Sequence, residues 1–172
     1  MELKFMPTTI FRETPKVTFF DAGLGASNGC DVVIHSEEAI SPPDDFKDEQ
    51  YYVHNHQIDY NLVITGERTF VLINPSWDET HHVIYLNSSM GALEIPIGTY
   101  HRSISGREGS IVLNQPKRDK FFDPAKEFIP QKLDQISLIK ARKTPPVYWV
   151  WESGQIKRVG FNPLERRIKT LA

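Results

Sequence analysis

The sequence predicts an all-β domain, either a barrel or a sandwich, with minor short helices. Short apolar runs recur along its 172 residues, and most of the 12 prolines and 10 glycines fall between them, a pattern typical of strands joined by turns. Helix signals are weak, because only Pro124–Phe128 and Leu133–Ala141 resemble short helices. Regularly spaced strands without long helices between them favour a barrel or sandwich over a parallel α/β sheet.

Ten segments have the character of strands. The last two flank Glu152-Ser153-Gly154-Gln155, a turn sequence that is typical of a β-hairpin. The predicted strands are 16–21, 31–35, 51–56, 61–65, 68–74, 81–86, 92–95, 110–114, 147–151 and 156–161.

Length and composition bound the class of protein. The length fits a single domain, 1–172, in which N-terminal strands (1–50) and a C-terminal extension (116–172) flank a core of about 51–115. With 40% hydrophobic and 24% charged residues, the composition is that of a soluble globular protein. A net charge of −2 argues against nucleic acid as a partner. The chain has no apolar run of membrane-spanning length and a single cysteine, so we expect a cytoplasmic protein without membrane contact.

Histidines form the most informative pattern. His54 and His56 lie on the predicted strand 51–56, where residues two apart share a face, so both imidazoles can bind one ion. Asp59 follows three residues later. His101 comes after the turn sequence Pro96-Ile-Gly98 and is a candidate third histidine ligand.

These residues carry a resemblance to the cupin superfamily. His54-x-His56, then Asp59, then six residues to Gly66, resembles the first cupin motif, His-x-His, Glu, six residues and Gly. Gly91 with Pro96-x-Gly98-x-x-His101 resembles the second motif, Gly, Pro-x-Gly-x-x-His and Asn. Aspartate replaces the usual glutamate, and it follows His56 after a shorter gap than the family pattern has.

The resemblance implies a double-stranded β-helix, a jelly-roll barrel of two antiparallel sheets with its site inside. It also implies one divalent transition metal ion, Fe, Mn, Ni or Zn, bound by His54, His56 and His101, with Asp59 as a conditional fourth ligand. The implied function is a metal-dependent enzyme, most often a dioxygenase, acting on a small polar metabolite. Cupins commonly pair through sheet faces, so a homodimer is expected as well.

A narrower resemblance, in the layout of strands and turns, is to sugar-nucleotide ketoisomerases and, more loosely, to epimerases of deoxysugar synthesis. In those metal-free cupins a histidine pair acts in proton transfer beside a sugar carbonyl, a role that would fall here on His54 and His56. The sequence thus leaves three hypotheses: a metal-dependent oxidoreductase, a metal-free isomerase or epimerase, and a non-catalytic ligand-binding cupin.

The phase of the strand after His56 stays open. If Asp59 faces the interior, Asn61 and Val63 face inward with it; otherwise Leu62 and Ile64 do. The second set is the better core material.

Overall fold

The computed structural model describes residues 3–45 and 48–166. Fourteen strands dominate this part of the chain, with a 3₁₀ turn at Ser88–Met90 and the short helices α1 (Pro124–Glu127) and α2 (Ile136–Lys143). The strands are β1 (Phe5–Met6), β2 (Thr9–Thr14), β3 (Val17–Asp21), β4 (Asp31–His35), β5 (Ala39–Ser41), β6 (Gln50–Tyr51), β7 (Gln57–Ile73), β8 (His81–Leu86), β9 (Ala92–Ile95), β10 (Tyr100–Asn114), β11 (Lys117–Arg118), β12 (Gln131–Lys132), β13 (Val147–Glu152) and β14 (Gln155–Val159).

Two long antiparallel strands, β7 and β10, organise the barrel. Their register pairs Tyr100 with Ile73 at one end and Asn114 with Asn61 at the other, and it shifts between Ser105 and Ser110. A second register shift lies between Ile111 and Val112, and such irregularities are typical of strands that bend around a barrel. The segments 61–65 and 68–74 are predicted as separate strands. In the structure both belong to β7, which continues through Gly66.

A ten-stranded sheet curls around the interior. Its order is β1-β9-β7-β8-β13-β14, and β10 adds β4 and β5 on its other side. The predicted hairpin after Trp151 is confirmed, since Glu152 pairs with Gln155 and both Ser153 and Gly154 have positive φ. Strands from both ends of the chain thus join the sheet that the central motif residues form, and the fold is a jelly-roll barrel.

The core lies between the curled halves of this sheet. One cluster of buried apolar side chains includes Val63, Leu72 and Trp149. β7 follows the first candidate phase: Asp59 and Asn61 line the interior and Val63 joins the core. The second phase is wrong, because Leu62 packs on the outside under the N-terminal segment and Ile64 is exposed. The outer face is covered there because residues around Met6 and Leu24 pack against it.

The predicted strand 51–56 is wrong over most of its length. Residues 53–56 form no strand; β6 ends at Tyr51, and the chain bends through Asn55 and His56 before β7 begins. His82 of β8 is buried, and its Nδ1 accepts a hydrogen bond from Trp149 Nε1 at 3.1 Å. Within the described residues no helix has the length and apolarity that crossing a membrane requires.

Candidate active site

The curled sheet encloses a cavity of about 240 Å³. It is smaller than the roughly 300–1,000 Å³ of pockets that hold drug-sized ligands, so it accepts a group of about the size of one sugar ring. Aromatic rings of Tyr52, Phe70 and Phe128 line part of its wall. The main polar lining residues are His54, Asp59, Asn61, Arg68, His101 and Asn114.

Three titratable side chains converge in this cavity. His54 Nε2 lies 3.4 Å from Asp59 Oδ2, and His101 Nε2 lies 3.7 Å from the same oxygen. One nitrogen or oxygen atom of each residue falls within 4.8 Å of the others, and all three residues are buried. These separations exceed those of strong hydrogen bonds. The three groups therefore face one small region in which they can act on the same atom or proton.

Asp59 is oriented by two amide side chains. Its Oδ1 accepts hydrogen bonds from Gln57 Nε2 at 2.6 Å and from Asn114 Nδ2 at 2.8 Å. Gln57 is fixed in turn by Arg118, whose Nε donates to Gln57 Oε1 at 2.7 Å. Because Oδ1 is engaged in this way, Oδ2 is the oxygen presented to the histidines.

His54 lies between two carboxylates. Its Nδ1 is 3.4 Å from Glu127 Oε2, on the far side from Asp59. The backbone N–H of Asn55 donates to the same Glu127 oxygen at 2.8 Å, so α1 is tied to the segment that carries His54. The ring of Phe128 packs edge-on against the imidazole, with centroids 5.0 Å apart. Each ring nitrogen of His54 therefore faces a carboxylate oxygen.

His101 has one defined tautomer. Its Nδ1 lies 3.1 Å from the carbonyl oxygen of Thr99, which only accepts, so Nδ1 carries the hydrogen. Burial lowers the pKa of His101, against the opposing attraction of Asp59. The neutral ring therefore presents the lone pair of Nε2 to Asp59 Oδ2, another acceptor. A positively charged group or a hydrogen donor between these two atoms satisfies both of them.

His56 does not join this group, which corrects the predicted shared face of His54 and His56. The physical reason is the bend at residues 55–56, which removes the strand alternation. The side chain of His56 is 39% exposed, and its Nδ1 lies 3.0 Å from Asp119 Oδ2. It also contacts the ring of Phe121. His56 lies outside the set of converging ligand atoms, so the predicted ligand pair is replaced by His54 and His101.

The donor set fits a divalent transition metal ion. Two imidazoles and one carboxylate are the set that binds non-haem iron in many oxygenases, and the facing acceptors of His101 and Asp59 are suited to a cation. The residues that would hold the ion are His54, Asp59 and His101. The expected fourth ligand is thus well placed, whereas the expected second histidine is not.

A second polar network lies along the same cavity. The Arg68 side chain, 1% exposed, donates from Nε to Ser110 Oγ at 2.7 Å and from Nη1 to Ser103 Oγ at 3.3 Å. Nη1 also lies 3.1 Å from His35 Nε2. Ser105 Oγ donates to the carbonyl of Glu37 and therefore accepts from His35 Nδ1 at 2.8 Å, which leaves His35 Nε2 as the acceptor for Arg68.

The buried histidines outside the His54 cluster predict a loss of stability in mild acid. Burial, assisted by Arg68, lowers the pKa of His35 from 6.5 to about 4, and burial lowers the pKa of His81 and of His82 as well. Below about pH 6.5 the unfolded imidazoles bind protons that the folded ones do not, so the free energy of unfolding falls as the pH drops. For His35 alone we expect a loss of about 2 kcal/mol between about pH 7.5 and pH 5.

Urea unfolding at the two pH values measures this loss. His35→Gln should reduce the difference. Equal pH dependence in the wild type and His35→Gln would contradict the expectation.

Sequence reasoning missed several residues of the site. Glu127 reaches His54 from a helix far along the chain, and no local pattern indicates that contact. Gln57, Asp59 and Asn61 did carry a signal, because polar residues at every second position of an otherwise apolar strand indicate a polar interior face.

Comparisons with known proteins support the fold. No family model and no curated protein matches the sequence. Among solved structures, a sugar 3,4-ketoisomerase from Thermoanaerobacterium thermosaccharolyticum in complex with TDP matches with a TM-score of 0.57 and 11% identity, over 81% of this chain and 93% of that chain. The 3'-monoepimerase ChmJ from Streptomyces bikiniensis, in complex with dTDP-quinovose, gives 0.54 and 9%, over 76% and 69%. A TDP-fucose-3,4-ketoisomerase from Campylobacter jejuni gives 0.53 and 11%, over 75% and 89%.

These similarities place the chain in a fold class. It has the cupin-type jelly-roll barrel that is found in sugar-nucleotide epimerases and ketoisomerases. The predicted cupin resemblance is therefore confirmed at the level of the fold.

Proposed function

We propose that the chain is an isomerase that moves a proton beside the carbonyl group of a nucleotide-linked sugar. The observation that carries this proposal is the buried His54 imidazole, held between Asp59 and Glu127 in a cavity of sugar size. Proton transfer at a carbon next to a carbonyl needs one group that both accepts and donates a proton, and histidine is the side chain best suited to that at neutral pH.

His54 is the proposed acid–base group. It removes the proton from the hydroxyl-bearing carbon next to the carbonyl, which leaves an enediolate, and returns it to the former carbonyl carbon. The hydroxyl proton passes to the former carbonyl oxygen, so the carbonyl and hydroxyl positions exchange. Asp59 and Glu127 stabilise the imidazolium that forms between the two steps. His101 offers a hydrogen-bond acceptor to a substrate hydroxyl through Nε2. One acid–base centre suffices for this shift, whereas epimerisation needs proton transfer on opposite faces of the ring, so we favour a ketoisomerase over an epimerase.

Solvent-hydrogen exchange tests the proposal. A TDP-linked 4-keto sugar is incubated with the protein in D₂O, and deuterium incorporation next to the carbonyl is followed by NMR. We expect exchange and isomerisation that depend on the protein and resist a chelator. A protein that binds the nucleotide sugar but exchanges no hydrogen would be a ligand-binding cupin, and the proposal would be wrong.

A metal-dependent oxidoreductase is the second candidate. The observation that favours it is the set of His54, Asp59 and His101, whose ligand atoms lie within 4.8 Å of one another. A bound ion would supply a Lewis acid with open positions for substrate and oxygen. Elemental analysis of the purified protein separates the two candidates. About one transition metal ion per chain, with activity lost on chelation, supports this second candidate and contradicts the first.

We also propose that the chain forms a homodimer. The hairpin of β2 and β3 pairs only with itself among the described strands, and its apolar side chains are exposed on both faces. Val32 and Ile34 of β4 are exposed as well. A second copy that covers these surfaces removes apolar area from water, which is the main driving force for association. The exposed apolar residues of the hairpin are Ile10, Phe11, Val17, Phe19 and Phe20.

Replacing Phe11 and Phe20 with serine is expected to produce a monomer. Sedimentation should give twice the chain mass of 19.8 kDa for the wild type and a single chain mass for the double variant. Ile136→Ser, which removes an exposed apolar residue of α2, is the control and should remain dimeric. A wild type that sediments as a monomer would overturn this proposal. The cytoplasmic location remains a prediction from the sequence.

A further inference from the structure

The buried guanidinium of Arg68 has no anionic partner. Its hydrogen-bond acceptors are the hydroxyls of Ser103 and Ser110, the carbonyl of Ser110 and the His35 ring, all of which are neutral. No carboxylate among the described residues forms an ion pair with it. A buried charge without a partner is costly, so a side chain of this kind indicates a missing anion.

One donor of this guanidinium remains available. An arginine has five N–H groups, and four of them are used: Nε once, Nη1 twice and Nη2 once. The longest of these contacts, to Ser103 Oγ at 3.3 Å, is the easiest to exchange for a better acceptor. Arg68 and Ser103 both line the cavity. A ligand oxygen in the cavity can therefore replace Ser103 Oγ as the acceptor for Arg68 Nη1, or accept from the unused N–H group of Nη2.

The cationic group lies close to the proposed reaction centre. Ser103 follows His101 by two residues on β10, so both side chains face the cavity and their backbone positions are about 7 Å apart. The cavity of about 240 Å³ is too small for a sugar together with a nucleoside diphosphate. If the sugar ring contacts His54 and His101, the ligand group that contacts Arg68 is therefore a substituent of the sugar and not the diphosphate.

We propose that Arg68 binds a carboxylate borne by the sugar ring, so the preferred substrate is a nucleotide-linked acidic sugar. This inference rests on the proposed function for the orientation of the sugar, and it names the substrate class of the same site. An oxyanion supplies the negative charge that Arg68 lacks, and an N–H donor to a carboxylate forms a stronger hydrogen bond than one to a neutral acceptor.

A pair of matched ligands tests the proposal. UDP-glucuronate and UDP-glucose differ only in the carboxylate that replaces the hydroxymethyl group, and calorimetry gives the Kd of each. We expect the wild type to bind UDP-glucuronate at least about tenfold more tightly. Arg68→Met should remove this preference. Arg158→Met, which removes the same charge from an exposed arginine paired with Glu79, should retain it.

UDP alone separates the two sources of negative charge. If Arg68→Met weakens the binding of UDP as much as the binding of UDP-glucuronate, the guanidinium binds the diphosphate and the proposal is wrong. Equal affinities of the wild type for the two sugar nucleotides would also overturn it. If Arg68→Met does not fold, the wild-type preference is tested with the ¹⁵N resonance of His35 Nε2. That resonance should shift with UDP-glucuronate and not with UDP-glucose.

The outcomes distinguish this inference from the proposed function. Calorimetry measures binding without turnover, so a preference for the acidic sugar stands even if no hydrogen exchange occurs. Conversely, exchange on neutral sugars with no preference for the carboxylate refutes the role of Arg68 and leaves the isomerase in place.

Discussion

Replacing His54 with asparagine is expected to lower kcat for the isomerisation by about 10²–10⁴-fold, the usual contribution of a general acid–base group. Asparagine keeps a polar side chain between Asp59 and Glu127 but cannot take up the proton. We expect KM to change little, because the loss falls on the proton-transfer step. Deuterium incorporation and product formation, measured on the same samples, should fall together.

His56→Asn is the matched control, because it removes the other histidine of the same sequence motif. His56 is exposed and paired with Asp119, so we expect its replacement to change kcat by less than about threefold. Comparable losses in both variants would place His56 in the reaction and contradict the arrangement described above. Undiminished exchange in His54→Asn would remove His54 as the acid–base group.

Replacing Gly109 with alanine is expected to destabilise the fold by about 3 kcal/mol or more. Gly109 has a φ of +66°, and a Cβ there would lie 2.2 Å from the carbonyl oxygen of His35. The clash is with the backbone, so β4 must move away from β10 to relieve it. Urea unfolding at neutral pH measures the change.

Two further glycines separate the sources of this cost. Gly154 has a φ of +79° and no atom within 4 Å of the place that a Cβ would take, and Gly106 has open space without a positive φ. We expect about 1–2 kcal/mol for Gly154→Ala, from the left-handed backbone alone, and within about 0.5 kcal/mol for Gly106→Ala. If Gly109→Ala costs no more than Gly154→Ala, the close approach of β4 is not important for stability.

Much of the fold could be predicted because local signals agree with it. The strands β4, β8 and β9 begin and end where the apolar runs do, and the turn residues Ser153 and Gly154 specify their hairpin. The sequence pattern divides β7 in two, since Gly66-Glu67 resembles a turn. Only the long-range pairing of β7 with β10 makes it continuous, and that pairing is not encoded locally.

The candidate site was predictable in part. His54, Asp59 and His101 come together as the motifs indicate. His56 does not, because its inclusion depended on strand alternation through a segment that bends. Glu127 and Arg68 could not be assigned a role. Glu127 lies 73 residues along the sequence from His54, which it contacts, and Arg68 is distinguished by having no ion-pair partner among the carboxylates that the structure describes.

The pairing of β7 with β10 also has a consequence for selectivity. Asp59 and Arg68 lie on β7, and His101 and Ser103 lie on β10, so the separation between the acid–base end and the cationic end of the cavity is set by backbone hydrogen bonds. Loop movement can bring His54 closer or withdraw it, but it cannot change that separation. Under the proposed function, the barrel therefore selects ligands by the length between two of their functional groups, and a change of preferred length requires a change in strand register.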